Sequence, residues 1–158
     1  MGDRVTDLFQ EWMNWGAPVL LAVVRENIPP RSLEEVVAES TLYCRASGRL
    51  TWIVLDRFLQ LVEKIDVKTL LKETRQNGDL SVLGLLSEAA FLRLPHLKFR
   101  QIMRACKPNQ ELTPFFQRVA KSPLATRLAQ ENGLELFRKW NYLCSELRYL
   151  SDKLPLAG

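Results

Sequence analysis

Residues 50–92 read LTWIVLDRFLQLVEKIDVKTLLKETRQNGDLSVLGLLSEAAFL, and this stretch decides the fold. Its opening sixteen residues contain Leu50, Trp52, Ile53, Val54, Leu55, Phe58, Leu59, Leu61, Val62 and Ile65. Apolar positions therefore cover nearly the whole circumference of a helix, which predicts burial on most sides. A strand reading fails on length, since strands run to about 4–8 residues and no turn signal comes before Asp66. Asp66 is placed to accept from the free N–H groups at Val67–Thr69 and so to start a second helix. Asn77-Gly78 predicts its end, with the glycine in the left-handed conformation of a C-cap. Leu80–Leu92 then carries two apolar rows, Leu80, Leu83, Leu86, Ala90 and Val82, Leu85, Ala89, Leu92. That helix should also be largely buried, and Gly84 with Ala89 and Ala90 would let another helix come close.

Before this stretch, Val5–Trp15 reads as a first helix with Val5, Leu8, Phe9 and Trp12 on one side. Pro18–Glu26 reads as a short apolar helix stopped by Ile28-Pro29-Pro30, because each proline removes a donor and disfavours helix in the residue before it. Ser32-Leu33-Glu34-Glu35 is a capping box, expected to open a helix that runs to about Arg45 with Leu33, Val36, Val37 and Leu42 inward. After it, His96–Cys106 reads as a helix with Leu97, Ile102 and Met103 inward. Thr113-Pro114 and Ser122-Pro123 each place a cap before a proline at the first helical position, predicting helices over Pro114–Ala120 and Pro123–Glu131. Leu134–Leu150 reads as a last helix with a seam at Leu136, Trp140, Leu143, Leu147 and Leu150. No segment shows sustained alternation of a strand. The expected fold is all-α: a single domain over residues 1–151, built as an irregular bundle or short stack of hairpins of about nine helices, with residues 152–158 as a flexible tail.

A chain of 158 residues, 47% hydrophobic and 25% charged, can bury a core without disulfides or metal. No apolar run reaches the length of a membrane span, so no membrane partner is expected. Met1-Gly2-Asp3-Arg4 leads into mixed polar residues rather than a secretory signal. Cys44, Cys106 and Cys144 are odd in number and far apart, the pattern of reduced thiols in a cytoplasmic protein. The charge is uneven, −1 over residues 1–78 and +5 over residues 79–158. Arg93, Lys98, Arg100, Arg104, Lys107, Arg118 and Lys121 face a single Glu111 within residues 93–121. Such a basic face can attract nucleic acid or an acidic partner, and Arg93, Lys98, Arg100 and Arg104 are its candidate contacts; plain solvation of a mildly basic face is the simpler alternative.

Chemistry is mostly missing from the motifs. The seven glycines form neither a phosphate loop nor a dinucleotide fingerprint, and no nucleophile elbow occurs. His96 is the only histidine and follows Pro95, where capping a helix or facing solvent is its simplest task. Glu63 and Asp66 are close enough in sequence to suggest a metal-binding or acid–base pair, although a surface charge and an N-cap explain them more simply. No cofactor, metal site or catalytic residue is expected. Trp140, Tyr142 and Tyr149 lie among Arg138, Lys139 and Arg148. Aromatics interleaved with cations are enriched at protein interfaces and can stack bases, so these three are candidate partner-binding residues, with core packing as the default.

One resemblance bears on function. Ser32-Leu33-Glu34-Glu35, the acidic-flanked Leu61–Leu71 helix junction, and Ser81-Val82-Leu83-Gly84-Leu85-Leu86-Ser87-Glu88 together resemble part of the C-terminal region of abortive-infection antitoxins of the AbiEi kind. Those proteins regulate transcription and accompany a nucleotidyltransferase-fold toxin. Leu85 stands where that family has an aromatic, and Val82 where it has a basic residue. The chain shows no strand pair for the family's N-terminal winged helix, so operator binding does not carry over, and no catalytic residue transfers. The resemblance implies a helical partner-binding or regulatory component. The expectation is thus a non-enzymatic interaction module whose partner is another protein, with nucleic-acid binding through residues 93–121 as the alternative and a metal-dependent enzyme using Glu63 and Asp66 as a third.

Overall fold

Side-chain caps set out the helices. The computed structural model describes residues 2–17, 30–116 and 134–144. Within these, α1 (Gly2–Asn14) is followed by α2 (Leu33–Ser40), α3 (Gly48–Leu61), α4 (Val67–Asn77), α5 (Leu80–Arg93), α6 (Leu97–Ala105) and a short α7 (Glu135–Lys139). Five consecutive helices, α2 to α6, start on a side chain that accepts one of the free N–H groups of the first turn. Ser32 Oγ accepts from Glu35 N at 3.2 Å while the Glu35 carboxylate accepts from Ser32 N at 3.3 Å, the predicted capping box. Ser47 caps α3, Asp66 caps α4, Asp79 caps α5 and His96 caps α6.

α5 is the hub. All ten residues from Ser81 to Ala90 are buried, and the helix packs along α6 and against α3, α4 and α7. α2 packs along α4, and α1 lies on α2 and α3. α3 buries Leu50, Val54, Leu55, Phe58 and Leu59, while Trp52, Ile53 and Leu61 are half-buried against the same core. Fully burying one such side chain stabilises the fold by about 1.5–3 kcal/mol. Phe58 of α3 meets Phe99 of α6 with ring centroids 5.3 Å apart.

Several helix ends differ from expectation, each for a visible reason. α2 stops at Ser40 rather than near Arg45. Leu42 N and Tyr43 N bond to Glu39 O and Ser40 O, each at 3.0 Å, three residues back, which tightens the turn. That tightening brings Leu42 to the surface instead of the core. The Thr41 hydroxyl donates to Ala38 O at 2.6 Å and accepts from Asp79 N at 2.8 Å, tying the end of α2 to the α4–α5 junction. Gly78 is extended (φ −142°) rather than left-handed. Its lack of a side chain matters for another reason: a Cβ there would overlap Ala38 O and sit 2.7 Å from Thr41 Oγ1. Leu97 turns outward; Phe99 and Ile102 fill the inner face of α6 in its place.

The predicted long last helix ends at Lys139. Trp140 N and Asn141 N bond to carbonyls three residues back, and Asn141 adopts φ 59°, a conformation asparagine tolerates. The chain then pairs in parallel as β2 (Tyr142–Leu143) with β1 (Thr113–Pro114), Thr113 opposite Tyr142. Thr113-Pro114 therefore opens a strand pair, not a helix. Arg45 ties this small sheet to the bundle, donating to Pro114 O at 2.8 Å and Phe115 O at 3.1 Å with its guanidinium over the Tyr142 ring. The described residues hold seven α-helices against the nine or so expected. The predicted helices Pro18–Glu26 and Pro123–Glu131, the rest of Pro114–Ala120, Leu147, Leu150 and the tail lie outside the described residues. No helix of the described residues is long and apolar enough to cross a membrane.

Candidate partner-binding surface

The turn from α5 to α6 carries three of the five large apolar side chains exposed among the described residues. Leu92 is 59%, Leu94 42% and Leu97 64% exposed, three leucines within six residues. Scattered single leucines on a surface are ordinary, whereas a contiguous group marks a contact face. Backbone bonds shape the turn: Leu94 N reaches Ala90 O at 2.8 Å, closing α5, and His96 N reaches Leu94 O at 2.7 Å.

Two side chains pin this corner to the α3–α4 junction. His96 Nδ1 accepts from Lys98 N at 3.1 Å, capping α6. The acceptor role of Nδ1 puts the proton of the neutral ring on Nε2, which donates to Glu63 Oε1 at 2.8 Å. Lys98 Nζ donates to Glu63 O at 2.9 Å and Ile65 O at 2.8 Å. The corner is thereby held in a fixed shape, a condition that lowers the ordering cost of binding.

Of the four basic candidates, Lys98 thus has a structural task, and Arg93 is half-buried with interactions of its own. Arg100 and Arg104 are exposed, four residues apart on the outer face of α6, with Gln101 between them and Leu97 at its start. Neither arginine forms an ion pair among the described residues. Lys107 is exposed just beyond.

The aromatic candidates fall elsewhere. Trp140 is 5% and Tyr142 0% exposed, so both are core residues and neither offers a contact face. Trp140 fills the space over Gly84, and Tyr142 packs on Phe115 with its hydroxyl 2.6 Å from Ser81 Oγ. Burial pushes the Tyr142 phenol up. Tyr149 lies outside the described residues. Burial likewise pushes the Cys44 and Cys106 thiols up to about 12, leaving them inert at neutral pH.

Glu63 and Asp66 serve separate tasks. The Glu63 carboxylate is engaged by His96, and Asp66 accepts from Thr69 N at 3.3 Å and from the Thr69 hydroxyl. Among the described residues no group of three or more His, Cys, Asp or Glu side chains could hold a metal ion.

A second feature escaped the sequence reading. Arg31 grips buried Glu11 with two bonds, at 2.6 and 2.8 Å, and reaches Glu39 at 2.9 Å; Arg4 grips Glu39 with two more. Bidentate geometry of this kind makes the strong form of the ion pair. The Arg4 bonds, with those of Arg31, hold the Glu39 carboxyl below its usual range. Arg31, Glu35 and Glu39 also line a cleft of about 580 Å³ between α2 and α4, shared with Leu42, Glu73, Gln76, Asn77 and Gly78. No spacing rule links Arg4, Glu11, Arg31 and Glu39, since their partners come from α1, α2 and the chain before α2. Its carboxylates are already committed to capping, to the arginines and to Asn77.

No protein family, curated protein or solved structure matches the chain.

Proposed function

We propose that the protein is a non-enzymatic, cytoplasmic helical module that regulates or holds another protein through the α5–α6 corner. The observation that carries this reading is the group Leu92, Leu94 and Leu97, exposed together on a turn held by His96 and Lys98. Clustered apolar side chains on a rigid frame suit protein contact, because burying them on a partner releases water at small ordering cost. The resemblance of residues 32–92 to AbiEi-type antitoxins supports the same reading and would make the partner a toxin. The test is affinity purification of the full chain from its native host, with and without nuclease. Recovery of one protein in near-stoichiometric amount, unaffected by nuclease, is the expected result. Recovery of the chain alone would overturn the proposal.

Nucleic-acid binding through residues 93–121 is the second reading, and the exposed Arg100, Arg104 and Lys107 favour it. It requires affinity for a short RNA or DNA duplex to fall with salt, with a log–log slope of about −0.9 per phosphate neutralised. Fluorescence anisotropy showing no binding at low salt removes it.

A further inference from the structure

We infer that the outer stripe of α6 receives an acidic amphipathic helix of the partner protein, with Leu97 as the apolar anchor and Arg100 and Arg104 gripping two of its carboxylates. This rests on the interaction-module reading and adds the chemistry of what docks. Positions 97, 100, 101 and 104 are all exposed, and their spacing places them along one side of the helix over about 10 Å. The opposite side of α6 is already occupied: Phe99 and Ile102 are buried, and Phe99 packs on Phe58. The stripe is therefore exposed while the helix beneath it is fixed. Leu92 and Leu94, exposed as well, precede it in the α5–α6 turn.

Charge complementarity selects the occupant. Guanidinium groups bind carboxylates with two parallel bonds, and arginine is favoured over lysine where such planar recognition matters. Arg100 and Arg104 are one helical turn apart. A helix lying alongside with Asp or Glu at i and i+4, and a large apolar residue on the same face beyond them, presents matching groups in matching order. Nucleic acid fits this surface less well. Single strands are held by cations together with aromatic faces, but the large hydrophobic side chains exposed among the described residues are all leucines, and Trp140 and Tyr142 are in the core. A lipid surface fits less well too, because helices that lie in the interface immerse a whole apolar face, and that face of α6 is packed inside the protein.

Site-specific photocrosslinking in the native host tests this. Benzoylphenylalanine replaces Leu97 in the full chain, and Leu42 and Leu112, exposed elsewhere, serve as comparison positions. The expected result is an adduct of the 97 variant with one protein, through a segment that carries two carboxylates four residues apart beside an apolar residue. With that protein purified, Arg100→Glu with Arg104→Glu should weaken the complex about tenfold or more, and replacing the two carboxylates by lysine should restore it. Arg100→Gln with Arg104→Gln should weaken it in the same direction with less charge disturbance. An adduct with nucleic acid or lipid, a crosslinked segment without the acidic pair, or no rescue by charge exchange would overturn the inference. Adducts at 42 or 112 but not at 97 would overturn it while leaving the interaction module standing. No adduct at any of the three positions, with no partner on purification, would remove both.

Discussion

The indole of Trp140 occupies the space that a side chain at position 84 would need, so that a Cβ on Gly84 would overlap its six-membered ring and come within 2.9 Å of Cys106 Cβ. The relation joins the middle of the hub helix α5 to the segment after α7, which is otherwise far away in sequence. Gly84→Ala should therefore destabilise the fold by about 1–3 kcal/mol, the range for overpacking a core, even though alanine is the better helix former. In a Trp140→Phe background the overlapping ring atoms are gone, and the same substitution should cost less. Urea unfolding of the four proteins measures the coupling. Additive effects would show that the ring does not set the size of residue 84.

Half-buried Glu39 and buried Asp56 should give the protein opposing responses to pH. The bonds from Arg4 hold the Glu39 carboxyl below its usual value, whereas burial pushes Asp56 up despite its bonds to Arg57 at 2.9 and 3.0 Å. Glu39, with a depressed native value, adds stability above the unfolded-state value near 4.5 and loses it as pH falls through the native one. Asp56 does the reverse. Between its unfolded value near 3.8 and its higher native value the unfolded chain deprotonates first, and stability falls as pH rises. Relative to the parent protein, Glu39→Gln should thus lose stability as pH rises from ~3 to ~7, and Asp56→Asn should gain it over the same span. Asp56 Oδ1 has no hydrogen-bond partner among the described residues, which adds to the cost of holding that charge inside. Thermal unfolding of both variants across that range checks the signs. Parallel curves for parent and Asp56→Asn would refute the Asp56 assignment.

Tyr142 separates a structural role from a contact role. The Ser81 hydroxyl donates to Asp79 Oδ1 at 2.6 Å, so the Tyr142 hydroxyl is the donor in its own 2.6 Å bond to Ser81. The cap of α5 and the β1–β2 segment are linked through that pair. Tyr142→Phe should cost about 0.5–1.5 kcal/mol, as for one neutral hydrogen bond, and leave partner affinity unchanged. A large loss of affinity with no change in stability would return Tyr142 to the contact surface.

The starts of the helices were legible in the sequence, and their ends were less so. Ser32, Asp66 and His96 act within three residues of their own position, so that local chemistry was enough to place α2, α4 and α6. The burial of α5 followed from its two apolar rows. The end of α2 depends on Thr41 meeting Asp79, and the end of α7 on a chain that leaves to pair with Thr113. These partners are remote in sequence. The 4, 3 spacing of Leu136, Trp140 and Leu143 reads as a helical seam, yet the three residues are buried from a helix, a turn and a strand in succession. The basic residues of the candidate surface were visible as a run of charge. That Lys98 is committed to the backbone carbonyls of Glu63 and Ile65 depends on where the α3–α4 junction lies.

The corner's rigidity should reside in the cap at His96, and two substitutions divide its parts. Asparagine is a strong N-cap, so His96→Asn keeps an acceptor for Lys98 N and gives up the bond to Glu63, whose carboxylate is exposed. His96→Ala gives up both. An exposed pair of this kind contributes at most about 1 kcal/mol, and a lost cap costs about 1 kcal/mol. His96→Asn should therefore stay within ~1 kcal/mol of the parent, and His96→Ala should lose about 1–2 kcal/mol and speed hydrogen exchange at the amide of Lys98 and in the first turn of α6. Urea titration and amide exchange measure the two effects together. Equal losses for Asn and Ala would assign the stability instead to the imidazole packed edge-on against Phe99, 6.1 Å between centroids, and with it the fixed shape of the α5–α6 corner.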